Sequence, residues 1–399
     1  MKKAWVVTVN MGYGHERAAL PLLPIAFDGQ IIIANDYNGI PEADRKRWKS
    51  MESGYYAISR IKERGGSVGE GLFRIFDRFQ AIHDIDDPRD ERKTTFQLRQ
   101  IYRYVRSGFG RHLIQKLSKN PAPLVATFFT VAHMADVWKY PGQTYVVTTD
   151  SDISRAWVSQ NPLVNRFIYF ASTGYAARHL EKYGVPSKRI VISGFPLPVL
   201  LTENAETDFK SRMTRFTEIN GHPITITFVV GGAGAQVETG EELIECFAPL
   251  IREGRVAVNL IAGKREDVAR KFERLRDHEG LTSARVAVVR ADHSMNFFST
   301  LNDLLRRTDI LWTKPSELSF YAALGLPIVM TSPIGAQEIR NREWLLKLGS
   351  GMDQPGGYTI KEWFLKQLDS GSFSRAAKAG FEKMERNGAK NIMEYVESH

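Results

Sequence analysis

Residues 312–341 read Trp-Thr-Lys-Pro-Ser-Glu-Leu-Ser-Phe-Tyr-Ala-Ala-Leu-Gly-Leu-Pro-Ile-Val-Met-Thr-Ser-Pro-Ile-Gly-Ala-Gln-Glu-Ile-Arg-Asn. Asp309 to Trp312 reads as a strand ending in a polar loop with Ser316 and Glu317. A short helix follows, closed by Gly325 and Pro327. Ile328 to Met330 is a second apolar strand, and the loop beyond it carries Gly335, Ala336, Gln337, Glu338 and Asn341. Two consecutive strand ends thus bring carboxylates and amides to one sheet edge. Such groups bond hydroxyls, so a sugar or a ribose is the matching ligand.

The same alternation extends outward in both directions. Trp5 to Val9, Ile31 to Ala34, Val125 to Phe129, Thr144 to Thr148, Arg166 to Phe170 and Ile190 to Ser193 read as strands, with a helix expected over Glu16 to Ala26. After the rigid Gly194-Phe195-Pro196-Leu197-Pro198 a second series begins: Ile224 to Val230, Val256 to Ile261, Val286 to Val289, then the two strands already quoted. This predicts an α/β protein of two Rossmann-like, doubly wound domains facing a cleft. The expected boundaries are 1–200 for the first domain and 207–372 for the second. A last helix over Ser374 to Val396, within 373–399, is expected to pack back on the first domain.

A chain of 399 residues is too long for a single core. Its 43% hydrophobic and 25% charged content is that of a globular protein, and no apolar run reaches membrane-spanning length. The single cysteine, Cys246, excludes an intramolecular disulfide and a cysteine-built metal site. A cytoplasmic location fits these features. The net charge of +9 is concentrated: residues 92–119 hold Arg92, Lys93, Arg99, Arg103, Arg106, Arg111, Lys116 and Lys119 and no acid. Arg99, Arg103 and Arg106 share one helical face beside the apolar stripe Leu98, Ile101 and Val105. Such a helix either sits on an anionic membrane surface, on the inner face, or meets acidic residues elsewhere in the fold. No nucleic-acid module is recognisable, and nucleic acid is not an expected partner.

Gly231, Gly232, Ala233, Gly234 and Ala235, followed by Gln236, end the first strand of the second domain. They form either a phosphate-cradling turn at a helix start or simply a tight turn. Gly12, Tyr13, Gly14 and His15 hold the equivalent place in the first domain, where a neutral imidazole can accept a proton from an attacking hydroxyl. His133 either lines the same cleft or bonds inside the fold. Asp150, in Thr149-Asp150-Ser151-Asp152, is suited to orienting a base or an acceptor hydroxyl; a metal role for the Asp-x-Asp pair is discounted, since such pairs commonly cap helices. Lys264 either reaches a phosphate or is a solvated loop residue, and Arg290 to His293 ends the next strand, where a base could lie.

These loops, in this order, resemble GT-B glycosyltransferases of the MurG and the monogalactosyl- and diglucosyl-diacylglycerol synthase type. Gly12-Tyr13-Gly14-His15 is similar to their Gly-His loop, and Val147 to Trp157 to their Thr-Asp…His…Trp segment. Ser193 to Pro198 is similar to the interdomain Gly-x-Pro, and Gly231 to Gln236 to the donor-domain glycine loop. Thr313-Lys314-Pro315, Gly325-Leu326-Pro327, Gly335-Ala336-Gln337-Glu338 and Asn341 match the donor-sugar region. The resemblance implies an inverting hexose transfer from a UDP-sugar to a lipid or lipid-linked acceptor, with no required metal or other cofactor. It implies His15 as the base or its neighbour, Gly232 to Ala235 at the diphosphate, and Gln337, Glu338 and Asn341 at the sugar. Glu317 would hold the ribose hydroxyls, although it follows Pro315-Ser316 on a shorter segment than the family has. The family's histidine after Thr-Asp is replaced, with Ser154 or Arg155 in its place. Two other uses of the fold stay open: a UDP-sugar epimerase or hydrolase, and a non-catalytic nucleotide-sugar-binding protein.

Overall fold

The computed structural model describes residues 3–63, 82–217, 222–231, 236–290, 294–333, 335–356 and 360–399, with the backbone alone for 54–63 and 294–296. The chain divides into two compact units. One comprises Met1–Val199, Ile334–Arg340 and Glu385–His399; the other comprises Leu200–Pro333 and Asn341–Met384.

The first unit holds a six-stranded parallel sheet in the order β2-β1-β3-β4-β5-β6. Its strands are β1 Trp5–Thr8, β2 Ile32–Ile33, β3 Leu124–Ala126, β4 Thr144–Val147, β5 Ile168–Ala171 and β6 Ile190–Ile192. The central strands are apolar at nearly every position because both faces are covered by helices. Val7 of β1 lies opposite Ile32 on one side and Ala126 on the other. The helix expected over Glu16 to Ala26 is α-helical only over Gly14–Ala19, and continues as a 3₁₀ helix over Leu20–Ile25. Pro21 and Pro24 lack the amide protons that an α-helix needs there.

The second unit holds another six-stranded parallel sheet, ordered β12-β11-β10-β7-β8-β9. Its strands are β7 Ile224–Val229, β8 Val256–Gly263, β9 Val286–Arg290, β10 Ile310–Thr313, β11 Ile328–Met330 and β12 Gly351–Asp353. Relative to its first strand this is the dinucleotide-fold order. β12 escaped the sequence reading because it is short and starts on a glycine. Gly240 lets the helix Val237–Arg252 lie close on the sheet: a Cβ there would meet Phe272 Cζ at 2.5 Å and Phe228 Cε1 at 3.0 Å.

The single helix expected over Ser374 to Val396 is two helices, Ser372–Lys383 and Gly388–Ser398. Met384 is extended, and Gly388 lies so near the Phe195 carbonyl that only glycine fits. The latter helix does belong to the first unit. Ala389, Ile392 and Val396 join Val6, Leu22, Ile25, Tyr145 and Phe170 in one apolar cluster, and Asn391 Nδ2 donates to the Ser193 carbonyl at 2.9 Å.

In the second unit the segment after β10 is a 3₁₀ helix, Glu317–Leu324, ended by Gly325 with a positive φ of 72°. Its last carbonyls are held by a buried cation. Arg212, on the helix Ala205–Thr217, donates from Nη1 to the Leu324 and Gly325 carbonyls at 2.9 and 3.1 Å, and from Nε to Thr308 O at 2.8 Å. Burial lowers its pKa to about 10, which leaves it charged at neutral pH. Next to it Arg215 Nε meets Asp309 Oδ1 at 2.7 Å, while Asp309 Oδ2 accepts from the Thr225 amide at 2.9 Å. Substituting Arg212 by Met strands three buried carbonyls, and an unfolding free-energy loss of about 3 kcal/mol is expected by urea titration. A change within a few tenths would remove Arg212 as the anchor of this 3₁₀ helix.

Candidate functional site

In parallel sheets ligands bind at the carboxyl edge, where the strand order reverses. In the first unit that place lies between β1 and β3, and His15 lies there. Gly12, with φ of 82°, turns the chain out of β1, and Gly14 opens the helix whose next residue is His15. His15 Nδ1 lies 2.9 Å from the carbonyl of Thr127, the residue after β3, and 3.4 Å from Thr149 Oγ1 beyond β4. A carbonyl only accepts, so Nδ1 carries the proton and the neutral ring has its lone pair on Nε2. Thr127 Oγ1 in turn lies 2.9 Å from Thr8 Oγ1 and 3.1 Å from the His15 carbonyl. Phe128 packs edge-on against the imidazole at 4.7 Å. The ring is thus oriented by a backbone oxygen, a partner no residue pattern announces. Tyr13 and Gly14 are half-buried beside it.

Asp150 is half-buried on the adjoining loop. That loop is fastened from below: Ser172 Oγ donates to the Asp150 carbonyl and Thr173 Oγ1 to the Ser151 carbonyl. The second acid of the pair, Asp152, is buried. Its Oδ1 accepts from the Ile153 amide at 2.9 Å and meets His179 Nδ1 at 2.5 Å, so the two carboxylates do not project together. Ser154 and Arg155, either of which was expected in place of the histidine of the similar segment, are both buried, and Arg155 is turned inward. It donates to the carbonyls of Val158, Ser159 and Arg92, and burial lowers its pKa. His133 does not line the site. It is fully buried, and its Nε2 lies 2.8 Å from the Ala156 carbonyl, the interior alternative of the two expected.

In the second unit the order reverses between β7 and β10. The loop after β7 begins with half-buried Gly231; Gly232, Ala233, Gly234 and Ala235 lie outside the described residues. Gln236 resumes with a positive φ of 73° at the start of the helix Val237–Arg252. After β10, Ser316 is buried and Glu317 half-buried at the first position of the 3₁₀ helix. After β11, Gly335 leads into the helix Ala336–Leu348, whose first turn carries Gln337 and Glu338, both half-buried; these residues fall in the segment Ile334–Arg340, which belongs to the first unit. Asn341 differs from expectation. It is fully buried, and its Nδ2 donates to the Pro315 carbonyl at 3.1 Å, so it fastens the loop that presents Ser316 and Glu317. Lys264 is exposed beyond β8, after Gly263 with φ of 61°. Of Arg290 to His293, only exposed Arg290 falls among the described residues.

Residues 185–284 match a family described as a domain of unknown function, DUF6938. The chain is 24% identical over 295 residues to a processive diacylglycerol beta-glucosyltransferase of Bacillus cytotoxicus, covering 72% of this chain and 66% of that protein, just under two thirds of its length. It is 21% identical over 367 residues to the enzyme of the same name from Bacillus pumilus, covering 88% of this chain and 82% of that one. Among solved structures, a UDP co-structure of S. aureus MnaA superposes with a TM-score of 0.51 at 13% identity, over 75% of this chain and 81% of that chain. The two-domain, doubly wound fold expected from the sequence is therefore the fold of the molecule.

Burial holds the His133 imidazole down at about 4, against 6.5 for a free histidine. The folded state keeps it neutral while the unfolded chain takes up a proton, so its contribution is complete above pH 6.5 and is lost as the pH falls towards 4. Between pH 7 and pH 5 it should cost about 2 kcal/mol. The wild type should therefore lose that much more stability over this interval than His133→Gln, measured by denaturant titration at each pH. Parallel pH profiles would contradict the neutral, buried assignment.

Proposed function

We propose that this chain is an inverting hexosyltransferase that moves a sugar from a UDP-sugar to a hydroxyl of a lipid or lipid-linked acceptor at a membrane surface. The observation that carries the reading is the coincidence of chemistry with topology. The Gly-His loop stands at the order reversal of one sheet, and the glycine loop and the Glu317 loop flank the order reversal of the other. The named similarity to diacylglycerol glucosyltransferases supports the choice of acceptor class.

In this mechanism His15 Nε2 takes the acceptor proton as the hydroxyl oxygen bonds to the anomeric carbon. The carbonyl of Thr127 holds the ring in the required tautomer. The bond to UDP breaks on the opposite face, so an α-linked donor gives a β-linked product. Backbone amides from Gly231 to Gln236 and the start of the helix Val237–Arg252 would receive the leaving diphosphate. Glu317 accepts from the ribose hydroxyls, and Gln337 and Glu338 bond the hexose. Asn341 positions the Glu317 loop through Pro315. Asp150 orients the acceptor hydroxyl. Lys264 is given no role in the transfer, and UDP-sugar is the only donor the mechanism draws on.

The basic segment supports peripheral membrane attachment. Arg99, Arg103 and Arg106 are exposed on the helix Phe96–Arg106, together with Phe96. Arg99 bonds the Thr94 carbonyl and Arg106 the Gln160 side chain. Among the described residues, only Arg92 of the eight bases in 92–119 has a carboxylate partner, Asp90. Positive charge on this face therefore remains available to an anionic surface. No helix among the described residues is long and apolar enough to cross a membrane.

His15→Ala should lower transfer by about 10²-fold or more, while UDP still raises the melting temperature as it does in the wild type. Undiminished transfer would remove His15 from the mechanism. Arg99→Glu/Arg103→Glu should weaken sedimentation with anionic vesicles by at least about tenfold at low salt, at roughly 1 kcal/mol per basic residue. Unchanged sedimentation would detach this helix from the membrane reading.

A further inference from the structure

The loop between β4 and β5 carries Leu163 and Val164, 72% and 82% exposed. Isolated exposed hydrophobic side chains are ordinary on protein surfaces, but this pair is adjacent and held outward by a built support. Arg189 Nη1 donates to the Pro162 carbonyl at 3.0 Å and also to that of Asn165, and Nη2 donates to the Leu163 carbonyl at 3.3 Å. The Asn161 carbonyl accepts from the amides of Val164 and Asn165 at 3.1 and 3.2 Å. Gln143 Nε2 ties down the Arg166 carbonyl at 2.7 Å. The backbone of the tip is fixed from beneath, and its two apolar side chains are left to solvent.

The surroundings of the tip are cationic. Arg106 Nη2 reaches Gln160 Oε1 at 2.9 Å, which fastens the basic helix Phe96–Arg106 to the foot of this loop. Arg92 and Pro162 lie close together, since a Cβ on Gly184 would be 3.5 Å from a side-chain carbon of each. Arg166 is exposed two residues beyond the tip. No Asp or Glu occurs between residues 153 and 180. With Arg92 paired to Asp90, an apolar point flanked by Arg106 and Arg166 is complementary to a layer of anionic headgroups over hydrocarbon. The side chains enter the acyl boundary while the guanidinium groups stay at phosphate level.

We infer that Leu163 and Val164 form a wedge that inserts into an anionic phospholipid bilayer, with Arg106 and Arg166 on the headgroups beside it. The inference rests on the membrane attachment proposed above and names the residues that penetrate. The basic helix supplies attraction that salt screens, whereas the wedge supplies an apolar contribution that salt does not remove.

The test is co-sedimentation of the full chain with phosphatidylglycerol/phosphatidylcholine vesicles at low and high salt. The wild type, Leu163→Ser/Val164→Ser and Arg99→Glu/Arg103→Glu are compared. The serine pair should bind at least about tenfold more weakly than the wild type and should lose the residual binding that the wild type keeps at high salt. Its melting temperature should be unchanged, because both side chains are largely exposed. Wild-type binding by the serine pair, with binding lost only in the charge-reversed variant, would overturn the wedge and leave the basic attachment standing. A wild type that fails to sediment at low salt would overturn both. Concentration-dependent dimerisation that the serine pair abolishes, without vesicle binding, would assign the tip to a second copy of the chain and overturn the wedge.

Discussion

Every paired strand in both sheets runs parallel to its neighbours, and that constraint governs the molecule. A parallel strand must return its chain across the sheet before the next one begins, so every strand-to-helix loop emerges at the same edge. Within each sheet the crossovers go one way and then the other, which leaves a gap in the helix layer where the order reverses. At the β1–β3 reversal the gap receives His15, and at the β7–β10 reversal it receives Gly231, Ser316 and Glu317. The chemistry is local to loops, but its convergence is a property of the sheets.

Much of this was legible in the sequence because parallel strands are buried on both faces. Runs such as Val6-Val7 and Ile328-Val329-Met330 then stand out from the charged helices around them. The glycine turns were legible as well, since a chain leaving a strand for a helix within a few residues needs positive φ at a position such as Gly12. The missing parts involve partners remote in sequence. The group that orients His15 is a backbone carbonyl 112 residues away. Asn341, expected at the sugar, donates to the Pro315 carbonyl, and His133 meets that of Ala156. Side-chain identity gives no clue to such bonds, because any residue carries the carbonyl. The break in the last helix had a visible signal, Asn387-Gly388, which the apolar periodicity on either side of it masked.

Buried polar contacts sit directly behind the half-buried candidate site residues. Arg212 closes one end of the 3₁₀ helix that presents Glu317 at its other end, and Asn341 holds the turn before it. Thr127 Oγ1 donates to the His15 carbonyl, while Ser172 and Thr173 hold carbonyls of the Asp150 loop. In each case a desolvated donor holds a backbone oxygen, where a broken bond is costly and the geometry is therefore well defined. The side chains that these contacts support, His15, Asp150 and Glu317, are half-buried.

The central claim is inverting transfer from a UDP-sugar to a lipid hydroxyl. The most direct test supplies radiolabelled UDP-hexoses with diacylglycerol-containing anionic vesicles, then resolves the lipid extract and determines the anomeric linkage of the product by NMR. The account predicts label in the organic phase, dependent on the acceptor, in a β-linkage. Label recovered only as free sugar or as a rearranged UDP-sugar, with or without acceptor, would contradict it.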